Sequence, residues 1–275
     1  MSKYFSKYVD CDLCGANNYD KLHDKGGTFW VRCKECGFIY TNPRWEEAVL
    51  DDEISQIYGN GLSGYSDKYN LKKQAEYRKI LKHFEKYRRL NSILEIGCNA
   101  GAFLYQARKM DWEATGVEPV EVCAKYAQEK YGLNVVPAFL ENARLPENSF
   151  DVVYSNAVFE HLPHPTSVLR EVFRILRPGG VVYTCTVNHD SYTRELLGEG
   201  WHLLRAADHL SLYTPETIAR FHNKVGLSII KLRSSGVRTR KNDNYITRTL
   251  KKALQSGLAR INLKGDRIIS LAQKK

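Results

Sequence analysis

The 275-residue sequence lacks any apolar run approaching the roughly 20 residues that span a bilayer. Its first 30 residues also lack the apolar core of a signal peptide, because Lys3, Lys7, Asp10, Asp12 and Asp20 interrupt them. These absences predict a soluble, cytoplasmic protein. The composition is otherwise that of a globular chain, with 43% hydrophobic and 26% charged residues, which excludes disordered and fibrous classes. The length allows one large domain and a small one.

Residues 1–230 lack a positive excess, although the chain as a whole carries a formal net charge of +10. The last 45 residues hold 13 Lys and Arg against only Asp243 and Asp266, so this segment carries +11 and the remainder −1. A neutral body argues against a nucleic-acid surface extending over the whole protein. The pattern indicates one local basic feature instead.

The basic feature coincides with an amphipathic helix that the sequence predicts inside residues 237–264. Apolar side chains recur there at helical spacing, and basic side chains mostly occupy the other faces: Ile246, Leu250, Ala253, Leu254, Gly257, Leu258 and Ile261 against Arg248, Lys251, Lys252 and Arg260. Three interpretations stay open, namely a surface helix packed on the core, a face for an anionic substrate, and weak attachment to a membrane surface.

Four of the seven cysteines form two Cys-x2-Cys pairs, Cys11 with Cys14 and Cys33 with Cys36. A two-residue gap lets one tight turn aim two thiolates at a single point, and two such turns complete a tetrahedral S4 site that suits Zn2+. Disulfides and free thiols are the alternatives, but neither suits paired cysteines in a cytosolic chain. Because the protein fills all four positions, we expect a structural metal in a zinc ribbon over residues 1–42.

From residue 91 onward, short apolar runs alternate with helical stretches. The predicted strands are Ser92–Ile96, Glu113–Val117, Val135–Pro137, Val152–Ser155, Val181–Val187 and Ser228–Leu232, and the predicted helices are Ala102–Met110, Pro119–Tyr131, Thr166–Leu176 and Pro215–Val225. Strands separated by helices of this length predict a parallel sheet with right-handed crossovers, and therefore an α/β fold.

The ends of the first two predicted strands carry the pattern of a nucleoside site. The first ends in the glycine-containing stretch Glu95–Gly101, which lets the backbone turn tightly and approach a ligand at a helix N-terminus. The dinucleotide fingerprint is not met, since Asn99 occupies the place of its middle glycine. The second strand ends at Glu118, 21 residues after Gly97, where a carboxylate can accept both hydroxyls of a ribose.

Several stretches, in this order, resemble the motifs of class I S-adenosylmethionine-dependent methyltransferases: Glu95–Gly101, Glu118, Leu145–Val153, Phe159–Leu162 and Arg174–Gly180. The resemblance implies a Rossmann-like seven-stranded sheet within residues 91–275, in which residues 265–271 form a final antiparallel strand. It also implies that residues 43–90 contribute a helical cap over the cofactor, with a helix at roughly 72–88.

The same resemblance implies which residues contact S-adenosylmethionine. The Gly97–Gly101 loop would face the methionine part, Glu118 would hold the ribose, and Glu141 would lie beside the adenine. The full set of cofactor residues that we predict is Glu95, Gly97, Cys98, Asn99, Gly101, Glu118, Pro119, Glu141 and Asn156.

Methyl transfer requires an aligned acceptor, and a neutral hydroxyl or carbon acid also requires a general base. His161 follows the fourth strand of the predicted unit, and Asp208 and His209 precede the last predicted helix. The stretch Asp208–Tyr213 is similar to the Glu-His-Leu-Ser-Tyr stretch of zinc-containing deoxysugar C-methyltransferases, which implies a catalytic role for this region. A structural role stays open for both histidines. No acidic triad suited to Mg2+ is evident, so we do not predict a magnesium-assisted mechanism.

These observations favour a methyltransferase that acts at an oxygen or a carbon of a small-molecule or glycan acceptor, with an anionic acceptor among the alternatives. An RNA methyltransferase with a zinc-binding N-terminus is the alternative, and a non-enzymatic module with a degenerate cofactor site is the third hypothesis. The sequence leaves the oligomeric state open.

Overall fold

A computed structural model describes residues 7–25, 28–45, 67–205, 208–237 and 257–275 of the chain. Two sheets organise these residues, a four-stranded sheet that includes the N-terminal segment and a seven-stranded sheet. None of the helices in these ranges is both long and apolar enough to cross a bilayer.

The strands of the described ranges are β1 Tyr19–Lys25, β2 Thr28–Cys33, β3 Ile39–Thr41, β4 Ser92–Ile96, β5 Glu113–Val117, β6 Asn134–Val136, β7 Phe150–Asn156, β8 Leu176–Val187, β9 Ser211–Leu212, β10 Leu227–Ser235 and β11 Arg267–Lys274. Besides a helical stretch at 257–262, the α-helices of the described ranges are α1 Asp67–Phe84, α2 Ala102–Arg108, α3 Glu121–Tyr131, α4 Pro165–Ile175, α5 Tyr192–Leu197 and α6 Pro215–Lys224.

The seven-stranded sheet has the strand order β10-β11-β8-β7-β4-β5-β6. Strands β4 to β8 are parallel to their neighbours in this group, whereas β11 lies antiparallel between β8 and β10. The predicted α/β class, the seven-stranded methyltransferase sheet and its final antiparallel strand are therefore confirmed.

Strand β4 shows why the apolar runs form a sheet that is covered on both faces. Successive strand side chains point to opposite faces. Accordingly, Ile93 packs in a cluster with Phe84 of α1 and Phe103 of α2, and Leu94 packs in another cluster with Leu169 of α4. Both β4 residues are fully buried, so Ile93 and Leu94 are consecutive apolar residues rather than part of an alternating pattern.

The four-stranded sheet has the order β1-β2-β3-β9 and joins two distant parts of the chain. Strand β3 pairs antiparallel with β9, with Ile39 opposite Leu212 and Tyr40 opposite Ser211. The indole Nε1–H of the fully buried Trp30 donates to the backbone carbonyl of His209 at 3.1 Å. The N-terminal ribbon is thus completed by the segment that follows His209.

Helix α6 and the start of α4 attach the ribbon to the large sheet. The Arg220 guanidinium donates to the carbonyl of Cys36 at 3.1 Å, and the Lys224 ammonium donates to the carbonyl of Leu13 at 2.8 Å. The backbone N–H of Thr166 donates to the Asp12 carboxylate at 2.8 Å. These contacts give the small ribbon a broad attachment in addition to the β3–β9 pairing.

The helical segment before β4 is present as α1, which begins and ends a few residues earlier than predicted. Residues 46–66, which include much of the predicted cap, lie outside the described residues. So do residues 238–256, which carry most of the predicted basic helix. Residues 257–262 are helical, but Leu258 and Ile261 are exposed while Ala259 is buried. In this described part, the predicted apolar stripe therefore does not pack on the core.

Candidate functional site

A cavity of about 660 Å3 lies at the carboxyl ends of the parallel strands. Its lining comes from the turn after β4, the end of β5, the 3-10 turn Leu140–Asn142, the loop after β7 and the segment before β9. This volume is in the range that accommodates a small-molecule ligand. The edge at which the strands end is where α/β sheets bind ligands.

The backbone of the turn after β4 requires glycine at two positions, Gly97 and Gly101. Gly97 and Gly101 have φ angles of 66° and 78°, in the left-handed region. A Cβ atom at Gly97 would lie 2.7 Å from a methyl of Val158, and one at Gly101 would lie 2.4 Å from a methyl of Leu133. Asn99 has a φ of 45°, a conformation that asparagine adopts more readily than most residues, so its place in the motif is compatible with the turn.

Glu118 lies at the end of β5 and lines the cavity, as predicted for the ribose ligand. Its two carboxylate oxygens accept the backbone N–H groups of Asn99 at 2.8 Å and Val120 at 2.9 Å. Burial raises the pKa of Glu118, and these two N–H groups oppose the shift. Each ionised carboxylate oxygen keeps a further lone pair, so the side chain is oriented and still able to accept a diol.

Three predicted cofactor residues do not line the cavity. Cys98 packs against α2 and α3 in a buried apolar cluster, and Gly101 provides the left-handed residue before α2. Glu95 is buried, and its Oε2 has no hydrogen-bond partner among the described residues. Burial and the charge of Glu118 raise the pKa of Glu95 well above its usual value. The Glu95 and Cys98 side chains thus lie behind the turn, and contact of these three residues with the cofactor stays a prediction.

The remaining predicted cofactor residues line the cavity: Gly97, Asn99, Glu118, Pro119, Glu141 and Asn156. The Glu141 carboxylate accepts the hydroxyl of Ser167 at 2.9 Å, which ties its loop to α4. Sequence reasoning missed Lys73 and Tyr77 of α1, which also line the cavity. Nothing in their local sequence marks them, because only the packing of α1 on the sheet brings them there.

At another part of the cavity wall, Glu160, His161 and His209 come together. We call these three residues the acceptor cluster. One ligand-type atom from each, a carboxylate oxygen or an imidazole nitrogen, lies within 4.8 Å of the other two. All three line the cavity, and the rings of His161 and His209 meet edge to face with centroids 5.0 Å apart. The two predicted catalytic histidines are thus brought together, and Glu160 joins them.

Each member of the acceptor cluster is held by a hydrogen bond from behind. His161 Nδ1–H donates to the backbone carbonyl of Asp208 at 2.7 Å, and His209 Nδ1–H donates to that of Leu203 at 2.8 Å. The Glu160 carboxylate accepts the Thr186 hydroxyl at 2.7 Å. With Nδ1 protonated, each neutral imidazole presents Nε2 as its unprotonated nitrogen.

The electrostatics of His209 make it a weak proton acceptor. Burial, followed by the charge of neighbouring His161, lowers the pKa of His209 to about 4. A general base works best when its pKa lies near the operating pH. The predicted catalytic Asp208 is buried outside the cavity lining, where its carboxylate pairs with the Arg205 guanidinium. Asp208 therefore positions His161 and Arg205 rather than facing a reacting atom.

Arg205 and Arg267 line the same cavity as the acceptor cluster. Arg267 begins β11, and its position in the antiparallel strand brings it opposite Val187 at the end of β8. Neither arginine was predicted as a site residue, because Arg205 lies outside the basic C-terminal segment and Arg267 falls in the predicted final strand. Their guanidinium groups give this cavity a cationic component.

The four paired cysteines also come together, and we call them the cysteine cluster. Cys11 Sγ lies 3.4 Å from Cys36 Sγ, and Cys14 Sγ lies 3.5 Å from Cys33 Sγ. Four thiolates at about 2.3 Å from one zinc ion would be separated by about 3.8 Å, close to these distances. Gly15 and Gly37, which follow the two pairs, have φ angles of 79° and 74°. The geometry fits the predicted tetrahedral donor set.

Residues 69–232 match the sequence profile of the methyltransferase domain family, and this match covers more than half of the chain. The fold and the cavity define the class as S-adenosylmethionine-dependent methyltransferases. The chain belongs to the methyltransferase domain family.

Two relatives illustrate the sequence similarity. The chain is 28% identical over 155 residues to the ubiquinone biosynthesis O-methyltransferase of Aeromonas salmonicida, an alignment that covers 50% of this chain and 63% of the relative. It is 27% identical over 158 residues to the protein of the same name from Nitrosococcus oceani, with 51% and 64% covered. The matched region thus spans just under two thirds of these relatives.

Solved structures show the same fold at low identity. An S-adenosylmethionine-dependent methyltransferase from Thermotoga maritima, described as a possible histamine N-methyltransferase, superposes with a TM-score of 0.56 at 20% identity, covering 82% of this chain and all of that one. The geranyl diphosphate C-methyltransferase of Streptomyces coelicolor superposes with a TM-score of 0.57 at 11% identity, covering 84% and 100%.

Proposed function

We propose that this chain transfers the methyl group of S-adenosylmethionine to a hydroxyl oxygen of a small-molecule acceptor. The observation that carries the proposal is the presence in one cavity of the Gly97 turn, Glu118 and the acceptor cluster. The ubiquinone biosynthesis O-methyltransferases named above support oxygen as the methylated atom.

Different residues of the cavity bind the cofactor and the acceptor. The turn at Gly97 and Asn99 receives the methionine part, and Glu118 accepts hydrogen bonds from the ribose diol. When bound, S-adenosylmethionine supplies a methyl group activated by its positive sulfur. The acceptor cluster holds the hydroxyl so that its oxygen lies in line with the methyl carbon, and alignment of this kind supplies much of the rate enhancement.

Two guanidinium groups on the cavity wall suit an acceptor with an anionic group, although Arg205 is also paired with Asp208. Arg205 and Arg267 line the cavity together with the acceptor cluster. Guanidinium groups bind carboxylates and phosphates through paired hydrogen bonds. We therefore propose a hydroxylated acceptor that also carries a carboxylate or a phosphate.

The other hypotheses receive less support. The relatives described above lend none to a glycan acceptor or to RNA. The hypothesis of a degenerate binding module depended on Asn99. This residue adopts the left-handed backbone conformation that the turn needs, and the cavity is present beside it.

The first test measures S-adenosylmethionine binding by calorimetry with the Glu118→Ala variant. Hydrogen bonds to a charged group contribute about 1.5–3 kcal/mol each, so loss of two is expected to weaken binding about 100-fold or more. Glu121→Ala changes an exposed glutamate at the start of α3 and should bind like the wild type. Absence of binding to the wild-type protein would contradict the proposal.

The acceptor is tested with S-adenosylmethionine carrying a labelled methyl group. Hydroxylated aromatic acids and hydroxyalkyl phosphates form one panel, and oligosaccharides and RNA form the second. We expect alkali-stable label in the first panel only. Transfer confined to RNA or to oligosaccharides would reject the small-molecule acceptor while leaving cofactor binding intact.

We also infer that the cysteine cluster holds one structural Zn2+. Its support is the donor set of four sulfur atoms and their spacing near that of a tetrahedral site. Metal analysis of protein purified without chelators is expected to show at least one zinc per chain, and a Cys14→Ser/Cys36→Ser variant should lose it.

A further inference from the structure

The acceptor cluster has the composition of a metal site with an open coordination position. It contains two imidazoles and one carboxylate, and all three side chains line the cofactor cavity. Zinc sites that perform chemistry use three protein ligands and leave one position to water or substrate, whereas structural sites fill all four. The cysteine cluster is of the second kind, and the acceptor cluster is of the first.

The hydrogen bonds behind the cluster support ligation. Metal-bound histidines donate their other ring N–H to a carbonyl or carboxylate, which fixes both tautomer and orientation. His161 and His209 do so with backbone carbonyls at 2.7 and 2.8 Å, so each presents Nε2. The Thr186 hydroxyl orients the Glu160 carboxylate in the same way at 2.7 Å.

The spacing is compatible with one cation. One candidate ligand atom from each residue, with either ring nitrogen counted for a histidine, lies within 4.8 Å of the other two, while ligands at about 2.0–2.1 Å from a tetrahedral zinc are separated by about 3.3 Å. A bound cation would require side-chain rotations that close this difference. The mixed imidazole and carboxylate set favours a transition metal such as Zn2+ over Mg2+, which prefers oxygen ligands.

We propose that Glu160, His161 and His209 bind one divalent transition-metal cation, and that its open position receives the hydroxyl oxygen of the acceptor. The inference rests on the proposed methyl transfer and assigns a ligand role to His209 in place of the role of general base. The sequence shows no acidic triad for Mg2+, and the proposed site instead contains a single carboxylate, that of Glu160. Its third ligand, His209, comes from a distant loop.

Such a cation accounts for the fate of the acceptor proton. Coordination lowers the pKa of a bound hydroxyl, so that its proton is released to solvent before transfer. The acceptor oxygen then forms a bond to the methyl carbon while the carbon–sulfur bond breaks. The electron pair of that bond returns to sulfur, which becomes the neutral thioether of S-adenosylhomocysteine. No oxidant or reductant is required.

The test is the zinc stoichiometry of the full chain after equilibrium dialysis against buffered free Zn2+. Two zinc ions per wild-type chain are expected, one in each cluster. The His209→Ala and Glu160→Gln variants should retain one, held by the cysteine cluster. Thr186→Val removes only the hydrogen bond behind Glu160, and it is expected to weaken the second zinc about 10- to 100-fold.

Cobalt identifies where the second ion binds. In protein with zinc already in the cysteine cluster, added Co2+ should give visible d–d bands without a thiolate-to-cobalt charge-transfer band. His83→Ala removes an exposed histidine of α1 and controls for adventitious imidazole binding. Calorimetric binding of S-adenosylmethionine shows that each variant keeps its cofactor site.

Several results would overturn the inference: a single zinc in the wild type, a second zinc that survives in both His209→Ala and Glu160→Gln, or a thiolate band from the added cobalt. Methyl transfer by protein that carries only the first zinc would reject the metal and keep the proposed function. Binding of a second zinc to a protein that transfers no methyl group to any hydroxyl acceptor would keep the metal site and reject the proposed function.

Discussion

The cysteine cluster and the acceptor cluster both collect metal-ligating side chains, but they differ in assembly and in surroundings. The first takes four sulfur atoms from two short turns near the N-terminus, so that protein fills every position. The second takes one carboxylate and two imidazoles from the loop after β7 and the segment before β9, and it faces a cavity. Closure suits stabilisation and an open position suits chemistry, so the two clusters fit the two different roles proposed for them.

The two clusters are physically connected. Trp30 lies in β2 of the ribbon, and its indole N–H binds the backbone carbonyl of His209 at 3.1 Å. Strand β9 begins two residues after His209 and completes the ribbon sheet by pairing with β3. A structural metal in the ribbon would therefore stabilise the loop that supplies one ligand of the acceptor cluster.

The largest expected effect separates the clusters by removing the first. Cys33→Ser removes one thiolate, and structural zinc contributes on the order of 10–16 kcal/mol in small peptides. We expect the ribbon to lose its zinc and the free energy of unfolding to fall by several kcal/mol, measured by denaturant titration. S-adenosylmethionine should still bind, since Glu118 and Gly97 lie on the large sheet. Equal stability with zinc absent would remove the structural role.

A smaller effect tests the connection itself. Trp30→Phe keeps one aromatic six-membered ring but removes the indole N–H donor, and a buried carbonyl without its donor costs about 1–3 kcal/mol. We expect kcat for methyl transfer to fall while the affinity for S-adenosylmethionine and the zinc of the cysteine cluster are unchanged. Trp112→Phe alters a buried tryptophan at the other side of the large sheet and serves as the comparison. Identical kcat losses in the two variants would contradict a specific connection.

A third test concerns helix α6, which connects the ribbon to the large sheet and belongs to neither cluster. His222 of α6 is fully buried, and burial lowers its pKa to about 4. Its neutral form is favoured in the fold, so stability is complete above about pH 6.5 and declines as pH falls towards 4. Between pH 8 and pH 5.5, linkage gives a loss of about 1.4 kcal/mol from this group.

The measurement compares the pH dependence of unfolding in the wild type and in His222→Asn, which cannot become cationic. We expect the variant to show a shallower decline over this interval, although its stability at pH 8 is lower. Parallel curves would assign the acid sensitivity to other groups, the thiolates of the cysteine cluster among them.

The smallest effect is expected at the ribbon surface. Lys34 and Asp20 form an ion pair at 3.0 Å in which both side chains are well exposed. Exposed pairs contribute at most about 1 kcal/mol, so Lys34→Ala should change the free energy of unfolding by less than about 0.5 kcal/mol. A loss as large as that of Cys33→Ser would show that the ribbon depends on its surface charges rather than on a metal.

Local sequence patterns were sufficient to predict the strands and several of the residues that form the site. The strands at Ser92–Ile96 and Glu113–Val117 have the predicted bounds, because apolar runs between turn residues and helices leave little choice of structure. Glu118 lines the cavity because the end of a parallel strand determines its place. Cys98 was assigned to the cofactor from its loop, yet it points into the core, since a motif position does not define the direction of every side chain.

Other parts of the site depend on contacts between distant segments. Lys73, Arg205 and Arg267 reach the cavity from three separate parts of the chain. Asp208 was predicted as catalytic beside its neighbour His209, but its carboxylate pairs with Arg205 and its backbone carbonyl accepts the Nδ1–H of His161. Neighbours in sequence point to different sides of a loop, and only its packing decides which side faces the ligand.

The α/β class, the cofactor turn and the cysteine cluster were predictable from local sequence, because each depends on residues within one strand, one turn or one short spacing. Tertiary structure decided that the ribbon sheet is completed by β9, and that Glu160 and His161 meet His209. Contacts of that kind arise from the burial of apolar surface between α4, α6, the ribbon and the large sheet, and local patterns do not specify which distant segments this packing brings together.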